Sequence, residues 1–364
     1  MSGREKGKRA KILCPDREEE EWLFNEGLTF SLLHNEACLE AESLWRKTFT
    51  EDAPSFTDYY FACKALKNRG LVLKGAEGVR AMLYLTPESV RLAGQSAESA
   101  YVVGVATDRE YRHRGYMAFL LKKAMELLYA QQIPFVFLMP ASPDIYTPFG
   151  FAWIYDRPLW DAKSLRKEKL TPMTAAQADE MAAFASGFLE REKAVYICRD
   201  RSYYIQQEKE LASQNGCIYG YREEGNRLAG LCMYIEEDGQ PEILEVLARE
   251  EAEAQFVKRC KEKKPVIMAR IIHAEKMLSF LETGDTAPFV LALKDPAIPG
   301  NNGLFLCEPK EGRTKVTRLE DNREADIRMD ISQLAAVLFG YETAENAKTA
   351  GVTPLFPVWI NEIV

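Results

Sequence analysis

A mixed α+β fold is predicted by three features of the sequence. Residues 101–107 (YVVGVAT) are a short, β-branched apolar run, followed by a charged stretch over 108–114. A segment then begins in which Met117, Leu120, Leu121, Ala124, Leu127 and Leu128 recur at helical spacing. Residues 134–139 (PFVFLM) are continuously apolar and bounded by Pro134 and Pro140, as a buried strand would be. Ahead of both, short strand-like runs are separated by only a few turn residues, which is the spacing of antiparallel hairpins.

The elements follow in order. Residues 1–10 (MSGREKGKRA) are polar and basic and read as a tail. Residues 22–48 carry helical periodicity, with Leu39, Leu44 and Trp45 among the apolar positions. Residues 56–67 read as a second helix, ended by Asn68-Arg69-Gly70. Strands are expected over 71–74 and 79–85, across the turn Ala76-Glu77-Gly78. Thr86-Pro87 should break the second strand, leaving a third over 89–92 and a loop over 93–99. The helix after residue 115 then crosses between parallel strands.

Residues 157–169 are rich in Lys and Arg and read as an interdomain linker. Beyond it, helices are expected over 175–191 and 201–213, strands over 217–221, 227–235 and 242–247, and a helix over 252–262. From Pro265 the texture changes again. A strand is expected over 266–272, a helix over 274–281, and strands over 289–294, 303–307 and 316–319. A strongly apolar helix over 331–340 is ended by Gly340. The expected domains are 12–156, 170–265 and 266–364.

A chain of 364 residues, 47% hydrophobic and 28% charged, fits two or three globular domains. The net charge of −8 argues against a general nucleic-acid surface and is compatible with cationic substrates. Eight cysteines form no CxxC pair, and with three histidines no zinc spacing arises, so no metal is expected. No apolar run approaches the ~20 residues of a membrane span, and the basic start leads into no signal-like core. The expectation is a reduced, cytoplasmic protein with neither membrane nor nucleic-acid partners.

The turn into the helix at Gly115 suits an anion. The first helical turn has unpaired N–H groups and the positive end of the dipole. Gly115 permits close approach, Arg112 and Arg114 add charge, and His113 can donate a hydrogen bond. A pyrophosphate is the natural occupant. Neither GxxxxGK-S/T nor GxGxxG is present, so those two nucleotide sites do not apply.

Arg112-His113-Arg114-Gly115-Tyr116-Met117 resembles the acyl-CoA loop of the GNAT acetyltransferase superfamily, except that Met117 stands where Gly or Ala is usual. Tyr146 with Gly150-Phe151 resembles the Y-x-x-x-G-F that follows it in those enzymes. The blocks GVATDREYRHRGYM and IYTPFGF, with NNG and LFGY near the end, resemble the Eis (enhanced intracellular survival) family. That family joins a GNAT domain, a degenerate GNAT-like domain and a sterol-carrier-protein-like domain.

The resemblance implies acetyl-CoA-dependent N-acetylation of a small-molecule or peptide amine, aminoglycoside- or polyamine-like. It places the pyrophosphate on His113, Arg114, Gly115, Tyr116, Met117 and Ala118, aided by Arg112 and Ser142. The pantetheine arm would lie along Val105, Ala106 and Thr107. Tyr146 would be the general acid, and the carboxylate at Val364 the general base. A homo-oligomer, trimer or hexamer, is also implied. The middle domain lacks the loop and should not bind CoA. Two alternatives stand beside this reading. One is a regulatory or ligand-binding protein that has lost turnover, supported by Met117. The other is a lipid carrier acting through its last domain.

Overall fold

The computed structural model describes residues 14–237, 239–282, 287–321, 323–341 and 353–361. The fold is mixed α and β, as expected, and is organised by three sheets.

The first half supplies α1 (Arg17–Glu26), β1 (Thr29–His34), α2 (Glu42–Thr48), α3 (Pro54–Tyr59), β2 (Arg69–Gly75), β3 (Gly78–Leu92) and β4 (Gln95–Thr107). These are followed by α4 (Tyr116–Ala130), β5 (Phe135–Leu138), the single turn α5 (Pro143–Tyr146) and β6 (Ala152–Asp161). The middle supplies β7 (Leu170–Met173), α6 (Ala178–Glu192), β8 (Val195–Ile197) and α7 (Arg201–Ser213). It continues with β9 (Cys217–Arg222), β10 (Leu228–Glu237), β11 (Gln240–Ala248), α8 (Glu250–Phe256) and β12 (Lys258–Ile271). The last part holds α9 (Ala274–Leu278), β13 (Phe289–Lys294), β14 (Gly303–Lys310), β15 (Arg313–Leu319), β16 (Ile327–Asp330), α10 (Ile331–Leu338) and β17 (Val358–Trp359).

The first sheet runs β1-β2-β3-β4-β5-β12-β6, with β8 pairing β3 and β17 pairing β8. Helix α4 crosses from β4 to the parallel β5 and packs on β2, β3 and β4. Its apolar stripe of Leu120, Leu121, Ala124, Leu127 and Leu128 is buried there, at the spacing seen in the sequence. The second sheet runs β11-β10-β9-β7 and is covered by α6 and α7; the third runs β15-β14-β13-β16. Helix α10 packs on β12 and β6, so the last part of the chain is seated on the first sheet.

Several elements differ from expectation. The periodicity over 22–48 is interrupted. Gly27, at φ 64, ends α1, and TFSLLH then pairs in register with β2. The helix over 56–67 becomes α3 plus a π-turn (Tyr60–Lys64) and a 3-10 turn (Ala65–Lys67). Pro87 does not break β3, which is one strand of 15 residues. On the edge away from β4, β2 stops at Leu85 and β8 starts at Val90, so Pro87 lies where no second ladder needs its N–H.

The start of the supposed linker over 157–169 is the end of β6, where Arg157 pairs Lys264 and Asp161 pairs Lys258. The helix over 252–262 stops at Phe256, because the charged run from Lys258 is strand. Strand β12 therefore begins before residue 266 and lies inside the first sheet, not at the head of the last one.

Candidate active site

The geometry is set by what β4 fails to pair with. Its parallel partner β5 matches it only at Ala100 with Val136 and Tyr101 with Phe137. Beyond Tyr101 the two strands part, while β5 pairs antiparallel with β12 along its other edge. Among the described residues, no strand fills the edge of residues 102–107 of β4 on that side. A bulge lies in the same stretch. Met82 opposes Ala106 and Tyr84 opposes Val103, with Gly104 at φ 61 between them. A Cβ at Gly104 would overlap the Trp45 ring. That ring is fixed by stacking on Tyr60 (4.3 Å) and by donating its indole N–H to Asp52 (2.8 Å).

The exit from β4 is pinned by Asp108. Burial acts to raise its pKa, but hydrogen bonds from Lys47 Nζ (2.9 Å) and the Glu110 N–H hold it below the usual carboxylate range. Arg112, His113, Arg114 and Gly115 then run exposed into α4. His113 (φ 64) and Gly115 (φ 84) are both left-handed, and no side chain caps the helix. The N–H groups of Tyr116, Met117 and Ala118 have no intrahelical acceptor. A Cβ at Gly115 would meet nothing within 4 Å, so the space in front of the turn is open.

Arg112 Nε donates to the Thr107 carbonyl (3.2 Å), and Arg114 reaches Glu26 (3.4 Å). The Tyr116 side chain is buried and its hydroxyl donates to Glu26 (2.7 Å). Burial and that bond push its pKa up to about 12. Tyr116 therefore offers the site only its main chain. Met117 and Ala118 are half-buried. A cavity of about 320 Å³ adjoins Gly115 between α1 and α4, walled by Trp22, Phe119, Arg114 and Lys122.

Tyr146 ends α5 and is 6% exposed, with its ring edge-on to Phe151 (5.8 Å). Burial raises its pKa to about 12. Gly150, at φ 80, turns the chain so that the Phe151 N–H returns to the Tyr146 carbonyl (3.4 Å). Ser142 is half-buried at the N-cap of α5, without a side-chain cap bond. Val105 and Thr107 are half-buried and Ala106 is buried along the open stretch of β4.

Val364 lies outside the described residues. The segment before it is held firmly. Val358 and Trp359 pair parallel to β8, and Trp359 and Asn361 donate to Glu245 (2.7 and 3.3 Å), which also takes two bonds from the buried Arg199.

Between α7 and the first sheet lies a polar cleft of about 350 Å³, lined by Asn68, Glu88, Ser89, Asp200 and Gln206 among others. The Asn68 Oδ1 is buried there without a hydrogen-bond partner. The cleft is one strand from the point where β4 and β5 part, since Thr86 pairs Tyr101. Among the described residues, no group of three or more His, Cys, Asp or Glu side chains is arranged to hold a metal.

The bulge and two buried arginines, Arg270 and Arg199, lie outside the sequence motifs. Gly104 inside a strand pattern was a signal for the first. Arg270 inside the apolar run VIMARII was a signal for the second; Arg199, in ICRDR, had none.

Residues 30–154 match the family described as an acetyltransferase (GNAT) domain. The chain carries a GNAT acetyltransferase domain. With it the protein is an N-acetyltransferase, and GNAT domains use acetyl-CoA as cosubstrate. Residues 273–352 match the sterol carrier protein domain. No curated protein matches the sequence.

Solved structures share the fold at low identity. A probable N-acyltransferase from Enterococcus faecalis has a TM-score of 0.72 at 18% identity, over 90% of this chain and 94% of that one. A GCN5-related N-acetyltransferase from Kribbella flavida has 0.70 at 19%, over 90% and 93%. Eis1 from Mycobacterium abscessus has 0.65 at 16%, over 90% and 94%. The GNAT domain here is thus embedded in a chain whose overall architecture recurs.

Proposed function

We propose that the protein transfers an acetyl group from acetyl-CoA to a small-molecule or peptide amine, aminoglycoside- or polyamine-like. One observation carries the reading. The unpaired edge of β4 leads through the loop of residues 108–115 into an uncapped helix N-terminus with open space before Gly115. Such a strand edge can hydrogen-bond an amide-bearing arm, and such a helix start can hold a pyrophosphate. The residues present therefore fit acetyl-CoA. Val105, Ala106 and Thr107 would hold the arm. The main chain from His113 to Ala118, with Arg112, Arg114 and Ser142, would hold the phosphates.

Acetyl-CoA supplies the thioester carbonyl that the acceptor amine attacks. Tyr146 Oη, protonated well above neutral pH, holds a proton for the departing sulfur. A thiolate needs a donor less than an alkoxide would, so Tyr146 accelerates the reaction without being indispensable. The proton of the attacking ammonium passes, in this proposal, to a carboxylate carried at Val364. The polar cleft between α7 and the first sheet is the proposed acceptor entry. The division 12–156, 170–265 and 266–364 belongs to the same proposal, with β12 crossing it, as do a homo-oligomeric state and a cytoplasmic location.

The test is a screen of aminoglycosides, polyamines and lysine peptides with acetyl-CoA, reading free thiol. Thiol release dependent on at least one amine is expected. Binding of acetyl-CoA without release for any amine would favour a regulatory protein. A co-purifying lipid in place of CoA binding would favour a carrier.

A further inference from the structure

We propose that Arg270 is a positioning residue for Tyr146, so that the last part of the chain sets the geometry of the catalytic turn. The inference rests on the reading of Tyr146 as general acid.

Arg270 lies on β12 opposite Val136 of β5 and is fully buried. Its guanidinium has three directed bonds. Nε donates to the Phe149 carbonyl, Nη1 to the Ile271 carbonyl and Nη2 to Asp295 Oδ1, each at 2.7 Å. Phe149 closes the 3-10 turn (Thr147–Phe149) that follows Tyr146 directly. Arg270 thus grips the backbone of the Tyr146 turn from beneath.

Asp295 is fully buried and fully engaged. It accepts from Arg270, from the N–H groups of Ala297 (3.0 Å) and Ile298 (3.1 Å), and from Asn301 Nδ2 (2.8 Å). Asn301 in turn donates to the Ile272 carbonyl (2.9 Å) and accepts from the Ala274 N–H (3.0 Å). The loop between β13 and β14 is therefore bonded to the end of β12 and, through Arg270, to the turn.

A second contact comes from α10. A Cβ at Gly150 would stand 2.7 Å from Ile331 Cγ2 and 3.5 Å from Arg270 Nε. The turn is wedged between Arg270 and the first residue of α10. Within the turn itself, the side-chain tie is an exposed bond from Thr147 to the Pro143 carbonyl (3.0 Å).

A buried ion pair is a poor source of net stability, since a well-packed apolar pair of equal volume does as well or better. What it does supply is directed geometry. Burial raises the pKa of Tyr146, and its ring is set by the turn and by edge-on packing against Phe151. Its aim depends on where the turn sits, and a misplacement of ~1 Å can cost ~10²-fold in rate.

The test is a double-mutant cycle of Arg270→Lys with Tyr146→Phe, reading kcat, KM for acetyl-CoA, CoA affinity by calorimetry, and folding by circular dichroism and Tm. Arg270→Lys keeps a charge for Asp295 but cannot reproduce the fork of bonds. Its kcat should fall ~10-fold or more, with KM and CoA affinity within ~2-fold. In the Tyr146→Phe background it should cost nothing further. In the CoA-free protein, the ¹³Cζ resonance of Tyr146, assigned by its loss in Tyr146→Phe, should shift or broaden in Arg270→Lys.

The positioning role is overturned if folded Arg270→Lys keeps the wild-type kcat. It is also overturned if Arg270→Lys loses the same factor in both backgrounds. Wild-type turnover by Tyr146→Phe would instead remove the general-acid reading itself, whatever Arg270→Lys does. Should Arg270→Lys not fold, Asn301→Ala, which leaves the ion pair in place, enters the same cycle. A several-fold loss of kcat confined to the Tyr146 background is expected, and an unchanged kcat refutes the proposal.

Discussion

Replacing Gly115 with Val separates the cost of strain from the cost of blocking a ligand. At φ 84 any side chain is strained, by about 1–2 kcal/mol. No clash adds to this, because a Cβ there meets nothing within 4 Å. A domain stable by ~5–15 kcal/mol survives the loss, with Tm lower by roughly 2–4 °C per kcal/mol. Ligand binding should suffer differently. The isopropyl group would stand between the free N–H groups of the first turn of α4 and any phosphate approaching them. Losing ~1.4 kcal/mol or more of binding raises the Kd for CoA ~10-fold or more.

The control is Gly225→Val in the β9–β10 turn, at φ 78 and equally open. It carries the same strain far from the loop. Calorimetry with CoA and a thermal melt of both variants decide the matter. Both should melt lower, and only Gly115→Val should bind CoA poorly. Wild-type CoA affinity in folded Gly115→Val would refute the placement of the pyrophosphate.

Four further outcomes are expected. Tyr146→Phe should lower kcat ~10²-fold with little change in KM for acetyl-CoA, and steady-state kinetics at full activity would return Tyr146 to a packing role. Gly104→Ala combines left-handed strain with overlap against Trp45 and should cost about 2–5 kcal/mol, read as a lower urea midpoint; an unchanged midpoint would show that the bulge relaxes freely. Glu245→Ala leaves Arg199 buried without its counter-charge and should cost about 3–5 kcal/mol by the same measurement. Tyr146 is neutral when protonated, and burial raises its folded pKa to about 12 from an ordinary ~10. Its contribution to stability is therefore complete below pH ~10 and is lost as pH climbs toward 12. Denaturation at a series of alkaline pH values should show Tyr146→Phe losing less stability across that window than the wild type.

Local signals in the sequence were reliable where one element decides its own fate. The stripe from Leu120 to Leu128 makes α4, the glycine at 115 makes its left-handed start, and α7 spans Arg201–Ser213 as its pattern implies. Signals failed where the partner is distant. Pro87 reads as a breaker because the sequence does not show that β2 and β8 leave that edge free. The basic run KRCKEKK reads largely as the end of a helix over 252–262, yet it is strand and pairs with β6. The candidate site divides in the same way. The left-handed turn at Gly115 and the Gly150 turn after Tyr146 are local and legible. The parting of β4 from β5 after Tyr101 has no signal within either strand, and the grip on Phe149 depends on Arg270, 121 residues later.

The insertion of β12 between β5 and β6 also bears on how the chain is made. Both flanking strands have been synthesised by Asp161, but the strand that joins them starts at Lys258. At ~5–20 residues per second, the gap between them stays open for roughly 5–20 s. During that time the nascent protein presents two unpaired strand edges, the usual templates for wrong pairing with other chains. The middle region must be threaded out and folded back before the first sheet can close. A fragment ending near residue 156 would keep that gap permanently. It should be a poor vehicle for expressing the catalytic half alone, whereas a chain carried through Ile271 closes the sheet.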